Sequence, residues 1–309
     1  MGGSDRAQQQ QQQQHIAAAA AAAAAMRPLG RGRLRKAARL QRCGDAASRR
    51  IRSSSNEGCQ PVLQLPVPVA PRIEMEAACQ RAAAVVAAIR DFNVPAPIVH
   101  VSLQAPAALL VDLSSQNRLL SSVDPSDCAA LDRVLRDQLQ SAGATFGIGG
   151  YGERRSIYSR GEQFEHAGEV RCIHLGVDLW LPSGQEIFAP FKAIVHSFQN
   201  NDLPGDYGPT IILQHEIQNT TFYTLYGHLS AASLDGKTVG QAIEYGEKIA
   251  CVGSPPVNGD WPPHLHFQII VDMLGKNGDF PGVASEKEAS AYMQICPDPN
   301  LVIRSALLR

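Results

Sequence analysis

Between residues 171 and 271 the chain reads as short strands, each cut off by a turn before a helix could form. Residues 192–198, 210–216, 222–226, 248–252 and 265–271 are β-branched, aromatic or alternating. Glycine and proline punctuate them at Pro182-Ser183-Gly184, Pro204-Gly205, Tyr207-Gly208-Pro209, Asp235-Gly236, Tyr245-Gly246 and Gly253. Many short strands with turns between them predict a mainly β fold, an antiparallel sandwich or open barrel.

The last of these strands carries chemistry. In Pro263-His264-Leu265-His266-Phe267-Gln268-Ile269 the side chains alternate. His264, His266 and Gln268 share one face, and Leu265, Phe267 and Ile269 share the other. The apolar face belongs to the core. Two histidines on the opposite face suit one metal ligand and one base facing a substrate. Upstream, His174 and Asp178 stand four apart, so they share a side whether the segment is helical or extended. Gly176 between them lets the backbone turn and approach closely. A further histidine, His228, sits in Tyr226-Gly227-His228-Leu229. Together these residues supply three candidate ligands for one Zn²⁺ and two histidines for proton transfer. Three protein ligands with an open fourth position mark a hydrolytic zinc site rather than a structural one.

These motifs resemble the lysostaphin/LytM-type zinc metallopeptidases. The matching residues are His174-Leu-Gly-Val-Asp178, Pro182-Ser-Gly184 with Ala189-Pro190, Tyr226-Gly-His228-Leu-Ser230, Gly246-Glu247 with Ile249-Ala-Cys-Val-Gly253, and His264-Leu-His266-Phe267. The resemblance implies a lysostaphin-type β core over 150–275. It implies His174, Asp178 and His266 as zinc ligands, with His228 and His264 flanking the water and the oxyanion. The implied function is hydrolysis of peptide bonds by a metal-activated water. One departure is Gly253-Ser254-Pro255-Pro256, where many members have Gly-x-Thr-Gly, followed by an insertion-like 257–263. That turn lies near the substrate groove, so the resemblance does not fix peptidoglycan as the substrate.

A narrower resemblance covers 147–302. Tyr207-Gly-Pro-Thr-Ile-Ile-Leu, Gly278-Asp-Phe-Pro-Gly and Ile295-Cys-Pro-Asp-Pro-Asn are similar to the peptidase-like middle segment of large fused proteins. Those join a kinase-like phosphotransferase before the module to a pyridoxal-phosphate aminotransferase after it. This implies an alternative function: a zinc-binding accessory module that recognises a peptide or amino-acid metabolite for a kinase-like or aminotransferase partner.

The remainder divides into three parts. Residues 1–60 hold eleven Lys and Arg against three acids, while the whole chain carries −1, so 61–309 carry −9. With runs of Gln at 8–14 and Ala at 17–25, this basic tail cannot build a core and is expected to be disordered. It reads either as an organelle transit peptide or as a tail that only stays soluble; few hydroxyl residues precede Ser48, which counts against the first. No aromatic residues interleave with the basic run, so no nucleic-acid partner is expected. No secretory signal is expected either, because Gln rather than a positive stretch precedes the Ala run. Lacking any run of about 18 apolar residues, the chain is not expected to span a membrane. Seven scattered cysteines without a CxxC pair argue for a reducing compartment. An intracellular location follows, cytoplasmic or organellar (mitochondrion or plastid). Residues 61–149 are expected to form an α/β lead-in with helices over 73–92 and 127–141 and a strand over 107–113. Residues 276–309 are expected to be a loop-rich extension.

Other residues invite a reading. His196 and His215 lack ligand spacing and are expected to be structural. Trp180 and Trp261 flank the ligand motifs and either line a groove or pack in the core. Asp202, Asp206 and Asp260 are expected in solvated loops, within reach of orienting a ligand histidine.

Overall fold

A computed structural model describes residues 72–308 apart from 121–122, 125, 161–164 and 167–168. The basic tail and its expected disorder lie outside the described residues. One eight-stranded sheet carries the fold. Across it run β1 (Ala108–Val111), β2 (Phe146–Gly149), β5 (Val177–Trp180), β12 (His264–Ile270), β9 (Thr220–Gly227), β8 (Gly208–Ile217), β7 (Ala193–Asn201) and β10 (Ala242–Ile243). The fold is mainly β, as the strand pattern predicts. Every neighbouring pair is antiparallel except β1 and β2.

That exception comes from the lead-in. A parallel pair needs a crossover, because the chain must return to the same end of the sheet. Helix α2 (Cys128–Ser141) supplies it, started by the Asp127 carboxylate accepting from the Ala130 N–H at 2.8 Å. Its Leu131 and Leu135 pack with Val111, Leu113 and Trp180. The lead-in thus extends the same sheet. Helix α1 (Arg72–Asp91) lies in the larger core through Ala78, Val85, Ala88 and Ile89.

Two small sheets complete the strands. One pairs β6 (Glu186–Phe188) with β11 (Lys248–Cys251); the other orders β13 (Val283–Ser285), β4 (Glu169–His174) and β3 (Glu165–His166). The stretch 276–309, expected to be loop-rich, alternates loops with short regular elements. Besides β13 that stretch forms α3 (Ala289–Ile295) and α4 (Asn300–Ile303), with Tyr292, Ile295 and Val302 buried. Each helix buries one or two apolar residues, too few to leave a 3.6-residue period among the prolines. Arg304 ties this end to the lead-in, donating to the carbonyls of Asn93 and Phe92 at 3.2 and 3.1 Å.

His215 is structural, as expected. On β8 it is 1% exposed, donates from Nδ1 to the Lys192 carbonyl at 3.0 Å, and accepts from the Thr224 hydroxyl at 2.7 Å. Burial pushes its imidazole down to about 4, and the Lys192 carbonyl opposes this only in part. In the unfolded chain it titrates near 6.5. Between those values the unfolded state binds a proton that the folded state refuses, so stability falls as pH drops from about 6.5 to about 4. The loss is on the order of 3 kcal/mol once pH is below both values. Urea unfolding between pH 7 and 4.5 should show a shallower pH slope for His215→Gln than for the wild type. Equal slopes would place the acid sensitivity elsewhere.

Candidate metal centre

Strand register builds the site. On one rung of the central sheet Gly149, Asp178, His266 and Gly227 stand opposite one another on β2, β5, β12 and β9. Paired residues point to the same face, about 5 Å apart. Asp178 and His266 are therefore neighbours by backbone geometry alone. The two glycines flanking them leave room for large side chains. A Cβ at Gly149 would lie 2.9 Å from Arg155 Nη2, and one at Gly227 would lie 2.5 Å from Tyr207 Cδ1. Two residues along, the next rung on the same face pairs Gly147, Trp180 and His264, and Trp180 stacks on His264 with ring centroids 4.3 Å apart.

His174 ends β4 and reaches the rung through the Leu175-Gly176 turn into β5. His228 follows β9 directly. It adopts φ 61°, a left-handed backbone rare for a residue with a Cβ. Such strain persists only where the surroundings impose it. Here the neighbouring backbone does so: His228 N–H donates to the Tyr207 carbonyl at 2.8 Å, and the His228 carbonyl accepts from Gly253 N–H at 2.9 Å.

Three donor atoms converge. His174 Nε2 is 3.0 Å from His266 Nδ1, and Asp178 Oδ1 lies 3.3 and 3.2 Å from those two nitrogens. The other nitrogen of each ring is already committed. His174 Nδ1 donates to the Gly150 carbonyl at 2.9 Å, and His266 Nε2 to Gln268 Oε1 at 2.9 Å. Each ring then turns a lone pair toward the other and toward the carboxylate. Ligands 2.0–2.1 Å from a tetrahedral Zn²⁺ stand about 3.3 Å apart, so the spacing and the donor set both fit that ion. His174, Asp178 and His266 are the residues that would hold it.

Burial sets the charge states. Burial and the nearby Arg155 push the His174 imidazole down to about 4, and burial does the same to His264. His228 lies well below its ordinary value, through burial first and then His264 and His266. Burial would raise Asp178, but His174 and Arg155 outweigh it and hold the carboxyl well below the usual carboxylate range. At neutral pH the Asp178 carboxylate therefore stands among the neutral imidazoles of His174, His228 and His264, a protonation state that suits metal binding.

His228 and His264 flank the donors with rings 4.2 Å apart. Nδ1 of His228 donates to the Asn258 carbonyl at 2.8 Å, and Nδ1 of His264 to the Pro262 carbonyl at 2.7 Å. Both rings therefore keep an Nε2 lone pair, and that of His264 is 3.9 Å from Asp178 Oδ1. The five residues singled out by sequence are thus brought together. Trp180 and Trp261 are buried in the smaller core and also border the site, Trp261 edge-on to His228 at 6.2 Å. Asp206, one candidate for orienting a histidine, instead accepts from the Tyr207 N–H at 2.7 Å. The orienting groups missed by sequence are mostly backbone carbonyls, those of Gly150, Asn258 and Pro262, which no residue type announces. Gln268 was visible as the residue sharing a face with His266.

Residues 172–278 match Peptidase family M23. No curated protein matches the chain. The catalytic domain of the antimicrobial peptidase lysostaphin from Staphylococcus simulans is similar at 22% identity over 49% of this chain and 93% of that one, TM-score 0.31. A zinc-containing peptidase from Vibrio cholerae is 28% identical over 34% of this chain and 29% of its own, TM-score 0.27. Csd3 from Helicobacter pylori is 23% identical over 40% and 32%, TM-score 0.25. The chain thus spans about a third of the lengths of the Vibrio and Helicobacter proteins.

Gly176 offers a test of the geometry. A Cβ there would lie 2.6 Å from Cε1 and Nε2 of His266 and 2.8 Å from the Phe267 carbonyl oxygen. The ring would have to yield, since the carbonyl belongs to the sheet. Gly176→Ala should fold with about 1–3 kcal/mol less stability and bind zinc at least tenfold more weakly. A variant that keeps zinc against a chelator as well as the wild type would show that the close approach does not matter.

Proposed function

We propose that the protein is a zinc-dependent endopeptidase that hydrolyses peptide bonds. The observation that carries this reading is the donor triad. Its lone pairs converge at tetrahedral spacing, beside two neutral imidazoles with free Nε2 atoms. The match of residues 172–278 to Peptidase family M23 supports a peptide as the substrate.

When bound, Zn²⁺ polarises the scissile carbonyl and lowers the pKa of water toward about 7. The chain's own residues do the rest. His174, Asp178 and His266 fix the reacting centre. His264 and His228 are the proton-handling pair. With Nδ1 of each tied to a carbonyl, only Nε2 is free to accept the water's proton. The ring that has taken it can donate to the oxyanion or to the leaving amine. Stacking on Trp180 and the edge of Trp261 keep both rings in a dry setting, where such interactions are stronger than in water.

Roles separate by substitution. His174→Ala and His266→Ala should lose zinc and activity together. By contrast, His228→Ala and His264→Ala should stay folded and hold about one zinc per chain, while turnover of a peptide panel falls by about 10²–10⁴. Chelation should abolish wild-type turnover and zinc should restore it. If both His228→Ala and His264→Ala leave turnover unchanged, the hydrolytic reading fails and a zinc-binding recognition module takes its place.

A further inference from the structure

Asp178 has two carboxylate oxygens, and they face different ways. Oδ1 points into the donor cluster, 3.2 Å from His266 Nδ1. Oδ2 accepts from Nη1 of Arg155. That guanidinium is 2% exposed and tightly held. Nη1 also donates to the Tyr158 hydroxyl at 3.0 Å, and Nε donates to Glu153 Oε2 at 2.7 Å. The other oxygen of Glu153 accepts from the Leu113 N–H at 3.0 Å. The lead-in therefore reaches Asp178 through Leu113, Glu153 and Arg155 in series. Gly149 completes the seat, since a Cβ there would press on Nη2.

A buried arginine is costly to desolvate, and a buried ion pair is weak evidence of added stability. Orientation is the gain this arrangement offers. We propose that Arg155 is a positioning residue that reserves Oδ2 of Asp178, so that the carboxylate turns a single oxygen toward the metal. The proposal rests on the zinc reading above. A carboxylate free to offer both oxygens would crowd the direction that a three-ligand hydrolytic site leaves open. The planar fork suits this task, because two of its arms engage two carboxylates at a fixed angle; a lysine ammonium is a point charge without that geometry.

The test reads the metal rather than turnover. Wild type, Arg155→Met, Arg155→Lys and Glu153→Gln would be checked for folding by circular dichroism and thermal melting. Each would then be loaded with Co²⁺ for visible absorption and titrated with Zn²⁺ against a chelator. Arg155→Met should bind zinc about 10–100-fold more weakly, as loss of an outer partner typically does. Its Co²⁺ absorption should weaken, because a second carboxylate oxygen raises the coordination number. Arg155→Lys should recover part of the affinity, and Glu153→Gln should shift both readouts in the same direction by less. A group that only supported the fold would lower the melting temperature and leave the Co²⁺ spectrum alone. Folded Arg155→Met with wild-type affinity and spectrum overturns the proposal. If that variant does not fold, wild-type behaviour of both Arg155→Lys and Glu153→Gln overturns it instead. A wild type that binds no zinc refutes the zinc reading itself, a separate outcome.

Discussion

The pairing of β5 with β12 in one register is the constraint on which the site depends. Asp178 and His266 meet because Val177 and Leu179 on β5, and Leu265 and Phe267 on β12, all turn to the other face and into the core. A slip of one residue would exchange the two faces and drive a carboxylate and an imidazole into hydrocarbon. Each large apolar side chain buried there contributes about 1.5–3 kcal/mol. The chemistry therefore inherits its geometry from a pattern selected by hydrophobic burial. The donors need no separate force to bring them together.

Burial does further work at the site. His174, Asp178, His228, His264 and His266 are all 6% exposed or less. Burial favours the uncharged imidazole at His174, His228 and His264, while Asp178 keeps its charge beside Arg155. Each of the four rings has one nitrogen fixed by a carbonyl or an amide oxygen, which leaves the other as the single point of contact. The direction of each ring is set before any ligand arrives. The site is organised in advance.

Much of this was legible in the chain. The long strands β7, β8, β9 and β12 and both early helices show their periods in the sequence, and the structure places them within a few residues of expectation. The five site residues stood out because two histidines on one strand face are hard to explain as packing. What stayed hidden has physical causes. The three orienting carbonyls belong to backbone, so residue identity says nothing of them. Arg155 lies in a Glu-Arg-Arg run that looks solvated until the fold buries one arginine and exposes the other: Arg154 pairs at the surface with Glu286, Arg155 inside with Asp178. The parallel placement of β1 depends on a crossover, which is a tertiary fact. Helices α3 and α4 are too short to carry a period.

The strand that ends at His174 is held on both sides by segments outside the M23 match at 172–278. On one side Gly152 N–H donates to the His174 carbonyl at 2.8 Å, and His174 N–H to the Glu153 carbonyl at 3.0 Å. On the other, Val283 of β13 pairs with His174, and Leu175 N–H donates to the Gly282 carbonyl at 2.8 Å. The recognisable motif and the unit that folds are therefore different objects. A recombination that moved only the motif would carry the ligands away from their guides. The flanks travel with the domain or the chemistry does not transfer, which makes the heritable module longer than its signature, reaching at least from Gly152 to Val283.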